Sequence, residues 1–161
     1  MAQETGEHVG DVFMQGDGNG GSSTNNSRNN QSSDHAAIDI MKPFILDSGA
    51  SFHATGDLTL FSSLEDTTTD MSLCTANGSM LDIIGQGTVQ HDNIALHGVL
   101  LVPELDVNIV SVSKLVELDY TVEFTGTGCF IRDASTGDLV GKGRHLDNGL
   151  FELDFLNAPR A

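Results

Sequence analysis

The sequence predicts an all-β domain, a small closed β-barrel with one short helix, preceded by a disordered tail. From Phe44 onward, short apolar runs alternate with Gly and Asn turn residues, and only residues 111–118 place apolar residues at helical spacing. Residues 1–40 are rich in Asn, Ser and Gly and offer too little apolar surface to offset the entropy of ordering. We therefore expect a disordered tail over 1–40, a barrel domain over 41–156 and a short C-terminal end over 157–161.

The charge of the chain excludes several functions. The formal net charge is −16, and the seven Lys and Arg residues are scattered, so no basic stripe is available to neutralise phosphates. The same acidity disfavours anionic membrane surfaces, and no apolar run is long enough to span a bilayer. The first residues are polar and acidic, unlike a signal peptide. We expect an intracellular, cytoplasmic protein that binds neither nucleic acid nor membrane directly.

A β-hairpin is the best-defined local element in the first half. Asn77-Gly78 lies between two apolar stretches, and both residues tolerate positive φ, which tight hairpin turns require. The strands are expected over 71–75 and 80–84, with Gly85 and Gly87 allowing a bend or bulge. Around the hairpin we expect a helical turn at 57–61, a polar loop at 65–70 and a buried strand at 94–102.

The second half reads as one strand, one helix and a meander. A short apolar strand at 108–110 precedes the helix, in which Val112, Leu115 and Val116 have helical spacing. Alternating apolar residues separated by glycine-rich turns then predict four strands. They are expected around 120–124, 129–132, 139–140 and 151–155.

Cysteine and histidine give little support for a metal site. Cys74 and Cys129 are expected to be two free, buried thiols, since no Cys/His cluster accompanies them. His91 and His97 could meet on one strand face, but two histidines without a third ligand make a weak zinc site. We expect neither a metal nor another cofactor.

The carboxylate of Asp47 is the strongest candidate for chemistry. Phe44, Ile45 and Leu46 run directly into Asp47-Ser48-Gly49, so a buried strand would deliver an acid into a tight turn. The tripeptide alone is more typical of an ordinary turn, since these are the usual turn-forming residues. His53 follows six residues later, its spacing does not indicate a nucleophilic set, and it is expected at the surface.

A catalytic Asp47 would need a second carboxylate. Two facing acids that share one proton provide a base and an acid together, whereas a lone aspartate activates water poorly. The similar tripeptide Asp147-Asn148-Gly149 lacks an apolar lead-in strand and is interpreted as a turn. The partner must then come from a second copy of the chain, across a two-fold interface.

These residues resemble a known family. Ile45-Leu46-Asp47-Ser48-Gly49-Ala50-Ser51-Phe52-His53-Ala54-Thr55 closely resembles the protease segment of copia-type LTR-retrotransposon Pol polyproteins. The similarity covers roughly residues 42–156 in the same order. It continues through residues 74–79, 102–105, 108–115, 120–131, 141–144 and 149–153.

The resemblance implies a retropepsin-like aspartic protease, a closed β-barrel active as a homodimer on an extended peptide or polyprotein. It assigns Asp47 as the acid that activates water, Ser48 as the residue that helps lock the two active-site loops together, and Gly49 as part of the catalytic loop. It also assigns substrate contacts to Ala50 and to a flap hairpin. The flap residues are Thr75, Ala76, Asn77 and Gly78.

One alternative stays open. The zinc knuckle, integrase and reverse transcriptase that accompany such proteases do not occur in the 161 residues, so we expect a fragment that ends near a pre-integrase region. A non-catalytic β-barrel would carry the same motifs, as a transposon relic or as a binding or dimerisation module. Residues alone do not separate the two hypotheses.

Overall fold

The computed structural model describes residues 42–66 and 71–161, which form a β-rich domain with one short α-helix. The predicted tail over 1–40 lies outside the described residues. The strands are β1 (Phe44–Asp47), β2 (Ala54–Thr55), β3 (Phe61–Asp66), β4 (Ser72–Cys74), β5 (Met80–Asp82), β6 (Gly85–His91), β7 (Ile94–Leu101), β8 (Asn108–Ser111), β9 (Tyr120–Phe124), β10 (Gly128–Asp133), β11 (Leu139–His145) and β12 (Phe151–Ala158).

Five strands pair in a closed circuit. β1 lies between β8, which is parallel to it, and β12, which is antiparallel. β8 pairs with β2, β2 pairs with β7, and β7 returns to β12 through parallel pairing of Ile94 with Leu156. β1, the strand that ends at Asp47, therefore has a hydrogen-bonded neighbour on each side within the circuit.

Two sheet extensions leave this circuit. β11, β10 and β9 continue in order from β12, and β6 and β3 continue from β7. The hairpin β4–β5 forms a separate two-stranded sheet. The β6–β7 pairing shifts register between Gly87 and Val89, which confirms the expected bulge, and a Cβ at Gly87 would collide with the Ser63 carbonyl of β3.

The one α-helix, α1 (Val112–Glu117), is where the spacing predicted it. Ser111 caps its N-terminus, because its side chain accepts a hydrogen bond from Lys114 N. Leu115 is fully buried in the main core, whereas Val116 is 55% exposed. A single turn of 3₁₀ helix, Leu58–Leu60, confirms the expected helical turn, and Asp57 caps it.

Two apolar clusters hold the domain. The larger joins β1, β6–β12 and α1, and burying each of its Leu or Ile side chains contributes roughly 2 kcal/mol. Its buried members are Phe44, Leu46, Leu60, Val89, Ile94, Leu96, Val99, Val110, Leu115, Tyr120, Cys129, Ile131, Leu153, Leu156 and Ala158. The smaller comprises Ala54, Ile83, Leu100, Val102 and Leu105, with Leu73, Leu81, Val107 and Ile109 packed against it.

A buried polar tie fixes the start of β1. Asn108 is 1% exposed, its Nδ2 donates to the Lys42 carbonyl at 2.7 Å, and its Oδ1 accepts from Thr55 Oγ1 at 2.6 Å. Leaving either buried partner unpaired would cost about 1–3 kcal/mol. The contact therefore links the chain before β1 to β2 and β8.

Several expected boundaries differ from those observed. Glu65 and Asp66 belong to β3 rather than to a polar loop, because they pair with Gln86 and Gly85 of β6. The rest of that expected loop, residues 67–70, lies outside the described residues. The expected domain boundary at residue 156 falls within β12, which continues to Ala158. None of the helices described is long and apolar enough to cross a membrane.

Candidate active site: the Asp47 loop

Asp47 is the last residue of β1. The three residues before it are buried, Asp47 is half-buried, and Ser48 and Gly49 are exposed, so the buried strand delivers the acid to the surface as the sequence predicted. Asp47 Oδ1 accepts a hydrogen bond from Gly49 N at 2.7 Å, which holds the carboxylate over its own turn. We call residues 47–53 the Asp47 loop.

Ser111 ties this loop to the rest of the domain from behind. It is the parallel register partner of Asp47, it is fully buried, and its Oγ donates to the Ala50 carbonyl at 2.6 Å. Ser113 Oγ also donates to Ala50 O, at 3.1 Å. The same Ser111 Oγ accepts from Lys114 N at 3.2 Å, so one side chain joins the loop to the first turn of α1.

His53 is buried, which overturns the expectation of a surface histidine. It is 2% exposed, its Nδ1 accepts a hydrogen bond from Ser111 N at 3.0 Å, and its Nε2 is buried without a hydrogen-bond partner. Burial and, to a smaller extent, the charge of Lys114 together lower the pKa of His53 to about 4, although the charge of Glu117 acts in the opposite direction. His53 is therefore neutral at physiological pH.

Sequence reasoning overlooked the roles of His53 and Ser111. A signal for Ser111 was present, since a serine directly before a helical apolar pattern is a common N-cap. No local signal marked His53, because its burial depends on β7 and β8, which come much later in the chain.

The hairpin that carries the other expected site residues is confirmed. Thr75 N donates to Ser79 O at 2.8 Å and Gly78 N donates to Thr75 O at 2.9 Å, closing the turn between β4 and β5. Asn77 Oδ1 accepts from Thr75 Oγ1 at 2.6 Å and from Ser79 N at 2.9 Å, and Gly78 has φ +84°. Thr75 and Ala76 are half-buried, whereas Asn77 and Gly78 are exposed.

The base of the hairpin rests on the smaller apolar cluster. Leu73 of β4 and Leu81 of β5 pack against that cluster, which contains Ala54, the residue after His53. In the part of the chain that the structure describes, no hydrogen bond joins the tip residues 75–78 to residues 47–50. The structure thus brings Asp47, Ser48, Gly49 and Ala50 together and holds the hairpin tip as a separate unit.

The segment around Asp147 is the turn that the sequence predicted. Leu146 N donates to Leu150 O at 2.8 Å and Gly149 N donates to Leu146 O at 2.9 Å, which closes the turn. Asp147 is exposed. Asp147 therefore occupies a surface turn between β11 and β12.

The described histidines and cysteines do not assemble into a metal site. His91 Nε2 lies 3.6 Å from Asp92 Oδ2, whereas His97 Nδ1 hydrogen-bonds with Thr88 Oγ1 at 2.8 Å. Over residues 42–66 and 71–161, no three His, Cys, Asp or Glu side chains are grouped to hold a metal ion.

The two cysteines differ in environment. Both are free thiols, but Cys74 in β4 is exposed, so the expectation of two buried thiols was wrong for this residue. Cys74 is exposed because β4 and β5 pair only with each other and stand outside the main sheet. Cys129 is buried, and burial followed by the charge of Asp154 raises its pKa to about 11.

Comparisons with known proteins agree with the resemblance seen in the sequence. The family described as "Pol polyprotein, beta-barrel domain" matches residues 44–120, from the start of β1 to the first residue of β9. Residues 44–120 are therefore similar to the β-barrel domain of retrotransposon Pol polyproteins.

A curated relative supports the same conclusion. The chain is 29% identical over 109 residues to the "Retrovirus-related Pol polyprotein from transposon RE1" of Arabidopsis thaliana. The match covers 65% of this chain and 7% of that polyprotein, so the chain corresponds to a small part of its relative. No solved structure matches the chain.

Proposed function

We propose that this chain is the aspartic endopeptidase of a copia-type retrotransposon polyprotein and hydrolyses peptide bonds with one Asp47 from each of two copies. The observation that carries the proposal is the Asp47 loop itself. A buried strand presents a carboxylate in an exposed Asp-Ser-Gly turn, and buried Ser111 holds the loop from behind through hydrogen bonds to Ala50 O and to Nδ1 of His53. An ordinary surface turn does not require such anchoring.

Catalysis would depend on two carboxylates in contact. Two carboxylates in contact would share one proton, so one Asp47 would take a proton from water while the other donates to the substrate carbonyl. A protein with a single such acid per chain reaches this arrangement by forming a two-fold dimer. The rate should be highest at mildly acidic pH, where the pair holds one proton.

The remaining expected residues take supporting roles in this proposal. Ser48 would join the two Asp47 loops, Gly49 would complete the loop, and Ala50 would contact the peptide backbone. The hairpin tip would close over the substrate and exclude water, using Thr75, Ala76, Asn77 and Gly78. Leu73 and Leu81 support this role, because they seat the base of the hairpin beside Ala54.

The test combines cleavage with association. The 161-residue chain is incubated with a mixed peptide library across the pH range, with and without pepstatin, and its mass is followed by sedimentation. We expect pepstatin-sensitive cleavage by a dimer, and a loss of at least roughly 1,000-fold in kcat/KM for Asp47→Asn. Asp147→Asn is the matched control, since it removes the same group from an exposed turn and should leave the rate unchanged.

Mixing experiments test the shared site. Adding an excess of the Asp47→Asn chain to the unaltered chain should suppress cleavage, because mixed dimers contain only one carboxylate. Full activity of the Asp47→Asn chain, or cleavage by a monomer, would refute the proposal. A folded protein that does not cleave any library peptide would favour the alternative, a non-catalytic β-barrel that serves as a relic or as a binding or dimerisation module.

A further inference from the structure

We propose that His53 is a positioning residue for the Asp47 loop: neutral His53 holds Ser111 through a backbone hydrogen bond, and protonation of His53 releases the loop at low pH. The structural part of this proposal stands alone. Its consequence for catalysis rests on the proposed function, since a released loop would no longer hold Asp47 in place.

The geometry determines which imidazole nitrogen carries the proton. The amide N–H of Ser111 points at Nδ1 over 3.0 Å, so Nδ1 must offer a lone pair and the hydrogen of the neutral ring must lie on Nε2. A protonated imidazole carries hydrogen on both nitrogens. The Nδ1–H of the protonated ring would then face the N–H of Ser111, and the hydrogen bond between them would be lost.

A single residue transmits this change to the candidate site. Ser111 donates its amide N–H to Nδ1 of His53, pairs in register with Asp47, and donates its Oγ hydrogen to the Ala50 carbonyl. The backbone of His53 is held independently, because Leu100 N donates to its carbonyl at 2.9 Å. Loss of the ring contact therefore loosens the segment between Asp47 and His53 without detaching His53 itself from β7.

The charged neighbours of His53 do not compensate for its burial. Lys114 and Glu117 of α1 pair with each other at 2.7 Å, and their effects on His53 have opposite signs. β8 contains no titratable side chain, β1 contributes Asp47, and β7 contributes His97, which is bound to Thr88. Burial is the largest influence, and it disfavours the charged ring.

The sign of the pH effect follows from linkage. The pKa of His53 is 6.5 in the unfolded chain and about 4 in the folded one, so the unfolded chain binds the extra proton between these values. Stability contributed by neutral His53 is complete above pH 6.5 and is lost as the pH falls from 6.5 to about 4. Across that window the folding equilibrium constant should fall by about 300-fold on account of His53.

Two substitutions separate the hydrogen bond from the charge. His53→Asn places an amide oxygen near the position of Nδ1 but does not titrate, whereas His53→Leu fills the space and leaves the Ser111 amide unpaired. Urea unfolding of the whole chain is measured from pH 7 to pH 4, and the Ser111 amide is followed by NMR. His145→Asn, at an exposed histidine, is the matched control.

We expect the acid loss of stability to be reduced in His53→Asn and unchanged in His145→Asn. We expect His53→Leu to be less stable at every pH, with a displaced Ser111 amide resonance. An unaltered acid loss in His53→Asn would overturn the proposal.

A measurement on the unaltered protein tests the proposal even if a substituted chain does not fold. The imidazole ¹⁵N shifts should show a lone pair on Nδ1 and hydrogen on Nε2 at pH 7, with protonation only near pH 4. A ring that carries its hydrogen on Nδ1 would equally overturn the proposal. These readouts do not use activity, so they hold or fail separately from the proposed protease function.

If the chain cleaves peptides, the activity profile adds a further check. The acid limb should move to lower pH in His53→Asn, because the loop then stays anchored where the unaltered chain begins to release it. An acid limb that does not move would restrict His53 to a purely structural role.

Discussion

The Asp47 loop and the β4–β5 hairpin carry the two halves of the predicted site, and they are held in opposite ways. The loop is anchored to distant parts of the chain by buried groups, Ser111 and His53, more than fifty residues apart in sequence. The hairpin tip is stabilised by its own residues, and only its base packs on the domain. The difference indicates a rigid acid-bearing loop beside an element that is free to move.

Among the substitutions that compare the loop with the hairpin, the largest loss of stability is expected from removing the Ser111 hydroxyl. Ser111→Ala removes the side-chain cap of α1 and the shorter of the two hydrogen bonds to the half-buried Ala50 carbonyl, which keeps only Ser113 as a donor. We expect the free energy of unfolding to fall by about 2 kcal/mol. Urea denaturation at pH 7 measures the change.

Ser113→Ala is the matched control for this change. Ser113 is exposed and its bond to Ala50 O is longer, at 3.1 Å, so its loss should cost no more than about 0.5 kcal/mol. Equal losses for the two serines would show that the buried position of Ser111 does not matter, and the contrast between loop and hairpin would weaken.

A smaller effect is expected at the hairpin tip. Gly78 has φ +84°, and nothing lies within 4 Å of the position where a Cβ would be, so Gly78→Ala costs only backbone strain of about 1 kcal/mol. Because the tip is a separate unit, faster hydrogen exchange should appear at residues 75–79 and not at Ser111. Exchange followed by NMR tests this.

Gly149→Ala provides the comparison for the tip. It also has positive φ, +86°, in an open turn, but that turn joins β11 to β12 within the main sheet. We expect its disturbance to spread into those strands. If Gly78→Ala increased exchange at Ser111, the loop and the hairpin would be coupled.

The smallest perturbation uses the cysteines. Cys74 in the hairpin is exposed, whereas Cys129 in the core is buried with its pKa raised to about 11, so its thiol is neutral and shielded. At pH 7.5 a thiol reagent should label one cysteine per folded chain and two after unfolding. Peptide mapping should place the first label on Cys74, and rapid labelling of both residues would contradict the burial of Cys129.

Much of the fold was predictable because its signals are local. Asn77-Gly78 encodes its own turn, the spacing of Val112, Leu115 and Val116 encodes α1, and the alternation of Tyr120 and Val122 encodes β9. β6 was harder to recognise, since its residues include two glycines and four polar side chains and show little apolar alternation. Its pairing with β3 and β7 compensates for that weak pattern.

The same distinction between local signals and long-range contacts applies to the candidate site. The turn at Asp47, Ser48 and Gly49 was predicted as a unit, because consecutive residues alone indicate a strand that runs into a tight turn. Ser111 and His53 were not predicted, because their contacts close long sequence separations. A residue whose partner lies fifty positions away shows its role only after the sheet has formed.

The sequence by itself determined the positions of most strands along the chain, the hairpin, the helix and the position of the acid at the end of β1, since each depends on neighbours within a few residues. Only the tertiary structure decided the closure of β7 onto β12, the exposure of Cys74 and the burial of His53. Those outcomes depend on which distant strands pair and which side chains they cover. The physical reason is that solvent exclusion belongs to the assembled sheet and not to any single segment.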